Sequence, residues 1–91
     1  MATNIEFGQL RSIGATALQL TTLEYGATTG VTIKALSTNT NNVYVGKLGV
    51  TTTTGFELSA GNGKFFECTD PSTIYVISAG TGDNVCYDLN Y

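Results

Sequence analysis

The chain of 91 residues is acidic, carries few charged side chains and contains no histidine. A chain of this length supports one hydrophobic core and buries about 60–68% of its unfolded surface, which excludes a second domain and leaves a small stability margin. The formal net charge of −3 and the scattered cations argue against nucleic-acid binding, because phosphate contacts need clustered Lys and Arg. These cations are Arg11, Lys34, Lys47 and Lys64.

The two cysteines, Cys68 and Cys86, are too few for a disulfide scaffold. We expect both to pack as small apolar residues, and the sequence leaves open whether they are bridged. The first residues do not resemble a signal peptide, and the longest aliphatic and aromatic run, residues 74–77, is too short to span a membrane. We therefore expect folding in a reducing cytoplasm, without membrane association, and with no metal or other cofactor.

Short apolar runs separated by glycine and polar residues predict an all-β protein. The best glycine-free window for a helix, residues 15–25, alternates like a strand, and sixteen threonines suit the exposed faces of sheets. The expected fold is a single β-sandwich or jelly-roll-like barrel of about seven to eight short antiparallel strands. Seven strands are predicted within residues 16–23, 30–36, 42–46, 55–59, 64–69, 73–78 and 84–90.

Alternation within these strands predicts which side chains face the core. One face carries Val31, Ile33 and Ala35 in one strand, and Val85, Tyr87 and Leu89 in another. Residues 73–78 are almost continuously apolar, which predicts a strand buried on both faces.

The connecting segments carry turn residues. Proline stands at the second position of a turn at residues 70–72, and residues 37–41 form a polar loop. Glycines predict tight hairpins at residues 61–63 and 80–83. Residues 51–54, four threonines, are expected in an exposed strand edge or loop.

Residues 1–14 contain Ile5, Phe7 and Leu10 without a regular period. They are either a first strand or an arm that docks on a neighbouring molecule, so the chain divides into residues 1–14 and a β-sandwich domain of residues 15–91. Tyr44 and Tyr75 are out of phase with the neighbouring valines, and exposed tyrosines are good interface anchors. The candidate interface residues are Ile5, Phe7, Leu10, Tyr44 and Tyr75.

The search for catalytic chemistry finds none. Histidine, the commonest base for nucleophilic catalysis, is absent, and Glu67 beside Cys68 disfavours a thiolate. The carboxylates have no spacing that compels pairing, and the Gly-x-Gly segments lack the third glycine of a dinucleotide-binding loop. We expect no enzyme activity, no catalytic or cofactor-binding residues and no small-molecule substrate.

The order and spacing of six segments between residues 30 and 91 resemble a widespread small domain of tailed-phage virions, found in head decoration (cement) proteins and other virion structural proteins. The segments are VTIKA (31–35), NTNNVYVG (39–46), GVT (49–51), GFELSAG (55–61), STIYVISAG (72–80) and DNV (83–85).

The resemblance implies a virion structural protein that decorates the outer capsid surface. It implies binding to the major capsid protein, stabilisation of capsomer junctions and a homo-oligomer, with a trimer favoured. The protein would be assembled in the host cytoplasm and located in the virion. The alternatives are a neck, tail or fibre-base subunit and, from a different class, a carbohydrate-binding module, although tryptophan, the usual sugar platform, is absent.

Overall fold

The computed structural model describes residues 5–21, 30–67 and 70–90. This part of the chain contains eight strands and one 3-10 turn, Pro71–Thr73. The strands are β1 (Ile5–Ile13), β2 (Leu18–Gln19), β3 (Gly30–Ala35), β4 (Val43–Gly46), β5 (Phe56–Leu58), β6 (Gly63–Phe66), β7 (Tyr75–Ser78) and β8 (Asp83–Asn90).

The strands form two four-stranded sheets in which every pair is antiparallel. The first sheet has the order β1-β8-β3-β6 and the second has the order β2-β7-β4-β5. Consecutive strands pass between the sheets, except for β4 and β5, which pair within the second sheet. This is the pattern of an eight-stranded double-sheet jelly roll. The predicted all-β sandwich is therefore confirmed, in its jelly-roll form.

The core lies between the two sheets and is almost entirely aliphatic. Val31, Ile33 and Leu89 of the first sheet and Val43 and Val76 of the second are fully buried. Alternation in β3 and β8 places their side chains as predicted, with Thr32 and Lys34 on the opposite face from Val31 and Ile33. The remaining buried members of this cluster are Ile13, Leu20, Ala35, Val45, Leu58, Ile74 and Val85.

Strand β7 is buried on both faces, as its continuous apolar sequence predicted. Val76, Ile77 and Ser78 are all buried, and β7 lies between β2 and β4 in the middle of the second sheet. The proline turn before it is also confirmed: the Asp70 side chain accepts a hydrogen bond from the Ser72 N–H, and Thr73 N–H bonds to Asp70 C=O.

Both predicted hairpins were wrong. Residues 61–63 and 80–83 each connect strands of different sheets, β5 to β6 and β7 to β8. The glycines do perform the predicted turn chemistry, since Gly61 and Gly82 have φ of +84° and +78°. Glycine marks a tight turn, but it does not indicate whether the chain returns to the same sheet.

Residues 51–54 form an exposed turn, which is the loop of the two predicted alternatives, with Gly55 N–H bonded to Thr51 C=O. One strand boundary differs from prediction. The strand predicted at residues 16–23 is confined to Leu18–Gln19 among the described residues.

Strand β1 is formed by most of residues 1–14, for which the sequence left two alternatives. It pairs with β8 from Ile5 opposite Asn90 to Leu10 opposite Val85, then contains an irregularity before Ile13. Ser12, within this irregularity, has a φ of +59°, and Ile13 is fully buried.

Candidate interaction surfaces

The outer face of the first sheet forms a shallow groove of about 480 Å³, which we call the β1–β8–β3 groove. Strand register arranges its outward side chains in two rows. The first row is Phe7, Asp88, Thr32 and Phe65, and the second is Gln9, Cys86 and Lys34.

Apolar exposure and an unpaired carboxylate oxygen distinguish this groove. Phe7 is 75% exposed at its β1 edge. Within the described residues, Asp88 Oδ1 is buried and accepts no hydrogen bond. Lys34 is exposed, and Cys86 is half-buried with a thiol that is free among the described residues. Cys68 lies outside the described residues. A buried acceptor without a partner costs free energy, so Asp88 is a destabilising feature of the isolated chain.

The edge of the sandwich formed by β5 and β6 is closed by an aromatic pair. Phe56 and Phe66 come from different sheets and meet edge to face, with ring centroids 5.8 Å apart at 87°. Lys64 Nζ lies 5.3 Å from the Phe56 centroid and 5.9 Å from that of Phe66, within reach of a cation–π attraction. Lysine at such an edge also discourages uncontrolled strand addition.

Phe65 projects from the outer side of β6 and remains 48% exposed. Its ring lies over Gly30, where an added Cβ would collide with Phe65 Cζ and would be 2.9 Å from the Phe66 carbonyl oxygen. The absence of a side chain at Gly30 thus makes room for the Phe65 ring.

Tyr44 and Tyr75 lie on the outer face of the second sheet. They are diagonal neighbours, since Tyr44 is opposite Ile77 and Gly46 is opposite Tyr75. Tyr44 donates a hydrogen bond of 2.9 Å to Glu57 Oε2, and this bond, with a smaller contribution from desolvation, raises the pKa of Tyr44 above its usual value.

The candidate interface residues do not converge on one surface. Phe7 lies on the outer face of the first sheet, and Tyr44 and Tyr75 lie on the opposite side of the molecule. Leu10 is half-buried and packs against the core, while the Ile5 backbone pairs with Asn90 in β1.

The sequence did not single out three other exposed apolar side chains. Leu48 is 79% exposed in a turn closed by Val50 N–H and Lys47 C=O. Leu48 is followed by Gly49, whose φ is +88°. A glycine at this place in the sequence indicates a turn, and it could have identified Leu48 as a residue at an exposed turn tip. No feature of the local sequence indicates that Phe56 and Phe65 are exposed, because their exposure follows from the positions of β5 and β6 at the edges of their sheets.

A polar network fixes the loops at one end of the sandwich. The buried Asp83 carboxylate accepts hydrogen bonds from Ser78 Oγ, from the backbone N–H groups of Thr40 and Asn41, and from Asn41 Nδ2. Burial alone would raise the pKa of Asp83, but these hydrogen bonds together outweigh it and lower the pKa. The network therefore ties the 37–42 loop to the start of β8.

Asn39 and Asn84 extend this network by a reciprocal contact. Asn39 Nδ2 donates to Asn84 C=O at 2.8 Å, and Asn84 N–H donates to Asn39 Oδ1 at 2.9 Å. Asn84 Oδ1 also accepts from Ser12 N–H in the irregular part of β1. These polar groups are hydrogen-bonded to one another, which indicates a structural rather than a chemical role for the network.

Within residues 5–21, 30–67 and 70–90, His, Cys, Asp and Glu form no group of three or more suited to holding a metal ion. The same residues include no helix with the length and apolarity to cross a membrane.

No family model and no curated protein matches this chain. Among solved structures, it is similar to a chain from Bacillus endospore appendages, described as a novel family of disulfide-linked pili. The two share 14% sequence identity over 96% of this chain and 87% of that chain, with a TM-score of 0.50. At this identity the likeness concerns the fold.

Proposed function

We propose that this protein is a non-catalytic structural subunit that assembles with copies of itself in a larger particle, and that the particle is a tailed-phage head on which it acts as a decoration (cement) protein. The main supporting observation is that two exposed phenylalanines, Phe7 and Phe65, lie in one outward row on the first sheet of a small jelly roll. Exposed apolar side chains that are grouped on one face are characteristic of contact with a partner, whereas single scattered ones are common.

The low charge of the surface supports repeated contacts between proteins. Charged residues make up 12% of the chain, and depletion of charge is typical of the centre of protein interfaces. In the described part of the chain, β1 lies at one edge of the first sheet and β2 at one edge of the second, and a neighbour's strand can add at these edges.

The cement role is supported by the segments that resemble phage virion proteins and by physics. Packed DNA exerts pressure on a capsid, and bridging capsomer junctions opposes expansion. A trimer that holds several copies of the major capsid protein achieves this through avidity, without any single tight site. The acidic chain also avoids DNA during assembly.

A second candidate is a subunit of a pilus-like filament. It is favoured by the fold shared with the chain from disulfide-linked pili and by the free thiol of Cys86. In that case head-to-tail contacts would continue along an open helix instead of closing into a ring.

Copy number in purified phage particles tests the cement role. Quantitative mass spectrometry of the particles should find this chain in numbers comparable to the major capsid protein. A few copies per particle would place it at the neck, tail or fibre base instead. Complete absence from virions would contradict the phage proposal and would favour the pilus-like filament.

A further inference from the structure

Four neighbouring residues in the β1–β8–β3 groove form a patch in which a positive and a negative side chain lie diagonally opposite each other. Asp88 is opposite Thr32, and Cys86 is opposite Lys34, on the adjacent strands β8 and β3. Lys34 and Asp88 therefore occupy one diagonal of the patch, while Thr32 and Cys86 occupy the other. Asp88 Oδ1 has no hydrogen-bond partner within the described chain.

This arrangement is self-complementary under a two-fold axis. An isologous contact has two-fold symmetry. If one residue of the first copy touches a second residue of the partner copy, then the same second residue of the first copy touches the first residue of the partner. An axis along the diagonal of Thr32 and Cys86 carries Lys34 of one copy over Asp88 of the other, so both ion pairs form together. The two sheets then cross at a steep angle, which is one of the two common ways in which sheets pack face to face.

We propose that two copies of this chain pack face to face through the β1–β8–β3 groove, with Lys34 of each copy paired to Asp88 of the other. The contact places a cation beside the carboxylate of Asp88 and covers the exposed ring of Phe7. It also brings the two Cys86 thiols close to each other, near the axis.

The contact rests on the proposed self-assembly and names one of its surfaces. It leaves the edge strands unoccupied, so it is compatible with a trimer built through those edges. Two-fold and three-fold contacts on different surfaces combine into closed assemblies with dihedral symmetry.

Charge reversal tests the contact in the full chain. Sedimentation velocity under reducing conditions would compare the wild type with Lys34→Glu, Asp88→Lys and the double variant. Each single reversal should raise the dissociation constant about tenfold or more, since it sets like charges against each other twice. The double variant should recover most of the affinity. Lys47→Glu makes the same charge change on an exposed loop and should have no effect.

Thiol cross-linking provides a second measurement. In a Cys68→Ser background, a short bismaleimide should join two copies through Cys86. The yield of the cross-linked dimer should fall in Lys34→Glu and return in the double variant, and far-UV circular dichroism should show that each variant is folded.

Two results overturn the inference in distinguishable ways. If the wild type associates but folded Lys34→Glu and Asp88→Lys associate equally well, this groove is not the contact, and the proposed self-assembly stands. If the wild type is a monomer at every concentration, both the groove contact and the proposed self-assembly fail.

Discussion

The carboxylate of Asp83 and the hydroxyl of Ser78 are hydrogen-bonded to each other at the connection between β7 and β8, and each residue is only 1% exposed. The bond therefore joins the last residue of a strand in the second sheet to the first residue of a strand in the first sheet. Because Asp83 also binds Thr40 and Asn41, one carboxylate organises two loops.

Asp83→Asn should destabilise the fold by about 2–4 kcal/mol, because the new amide presents donors to a site lined by donors. Urea unfolding followed by circular dichroism measures the change. Glu67→Gln, the same kind of change at an exposed carboxylate, is the control and should stay within about 0.5 kcal/mol. Equal effects of the two substitutions would contradict the structural role given to Asp83.

The lowered pKa of Asp83 predicts a loss of stability in acid. A carboxylate whose pKa is lower in the folded state than in the unfolded state stabilises the fold. This stabilisation is complete at pH values above the pKa of the group in the unfolded chain. That stabilisation is lost as the pH falls below about 4 and through the folded pKa. The urea midpoints of wild type and Asp83→Asn should therefore converge as the pH falls below about 4. A gap that stays unchanged as the pH is lowered would show that Asp83 is not the group responsible.

Gly30→Ala should destabilise the protein by about 1–3 kcal/mol, because the new methyl group would meet both the Phe65 ring and the Phe66 carbonyl oxygen. Gly14→Ala is the matched control, since its methyl group would lie 3.8 Å or more from its nearest neighbours. Thermal unfolding of both variants checks the prediction. A Gly30→Ala protein as stable as Gly14→Ala would mean that Phe65 does not pack against the sheet as described.

Two leucine truncations separate core from surface. Leu89→Ala should cost about 3–5 kcal/mol, because Leu89 is fully buried between the sheets. Leu48→Ala should change the free energy of unfolding by less than about 0.5 kcal/mol, since its side chain is 79% exposed. Denaturant unfolding of both variants is the measurement, and a large loss in Leu48→Ala would be incompatible with its position at a turn tip.

Much of the fold could be predicted because each strand is a local pattern. Alternation identified the inward residues of β3 and β8, and an unbroken apolar run identified β7 as doubly buried. Topology was harder, because a jelly roll sends most consecutive strands to different sheets, while β4 and β5 pair within one sheet. A Gly-rich turn such as residues 80–83 has the same local sequence whether it closes a hairpin or crosses between sheets.

The candidate surfaces were harder to predict from the sequence, because they depend more on the register between distant strands than on local patterns. Tyr44 and Tyr75 could be placed on an outward face from their phase alone. The diagonal of Lys34 and Asp88 could not be foreseen, because it arises from pairing between strands more than fifty residues apart in sequence. The exposure of Phe65 likewise depends on β6 being at the edge of its sheet.

The most direct test of the central claim, that this protein is a self-assembling structural subunit, is sedimentation equilibrium of the purified full chain over a wide range of concentrations. The account predicts a reversible shift from monomer to defined oligomers as the concentration rises. A single monomeric species at all concentrations would contradict it.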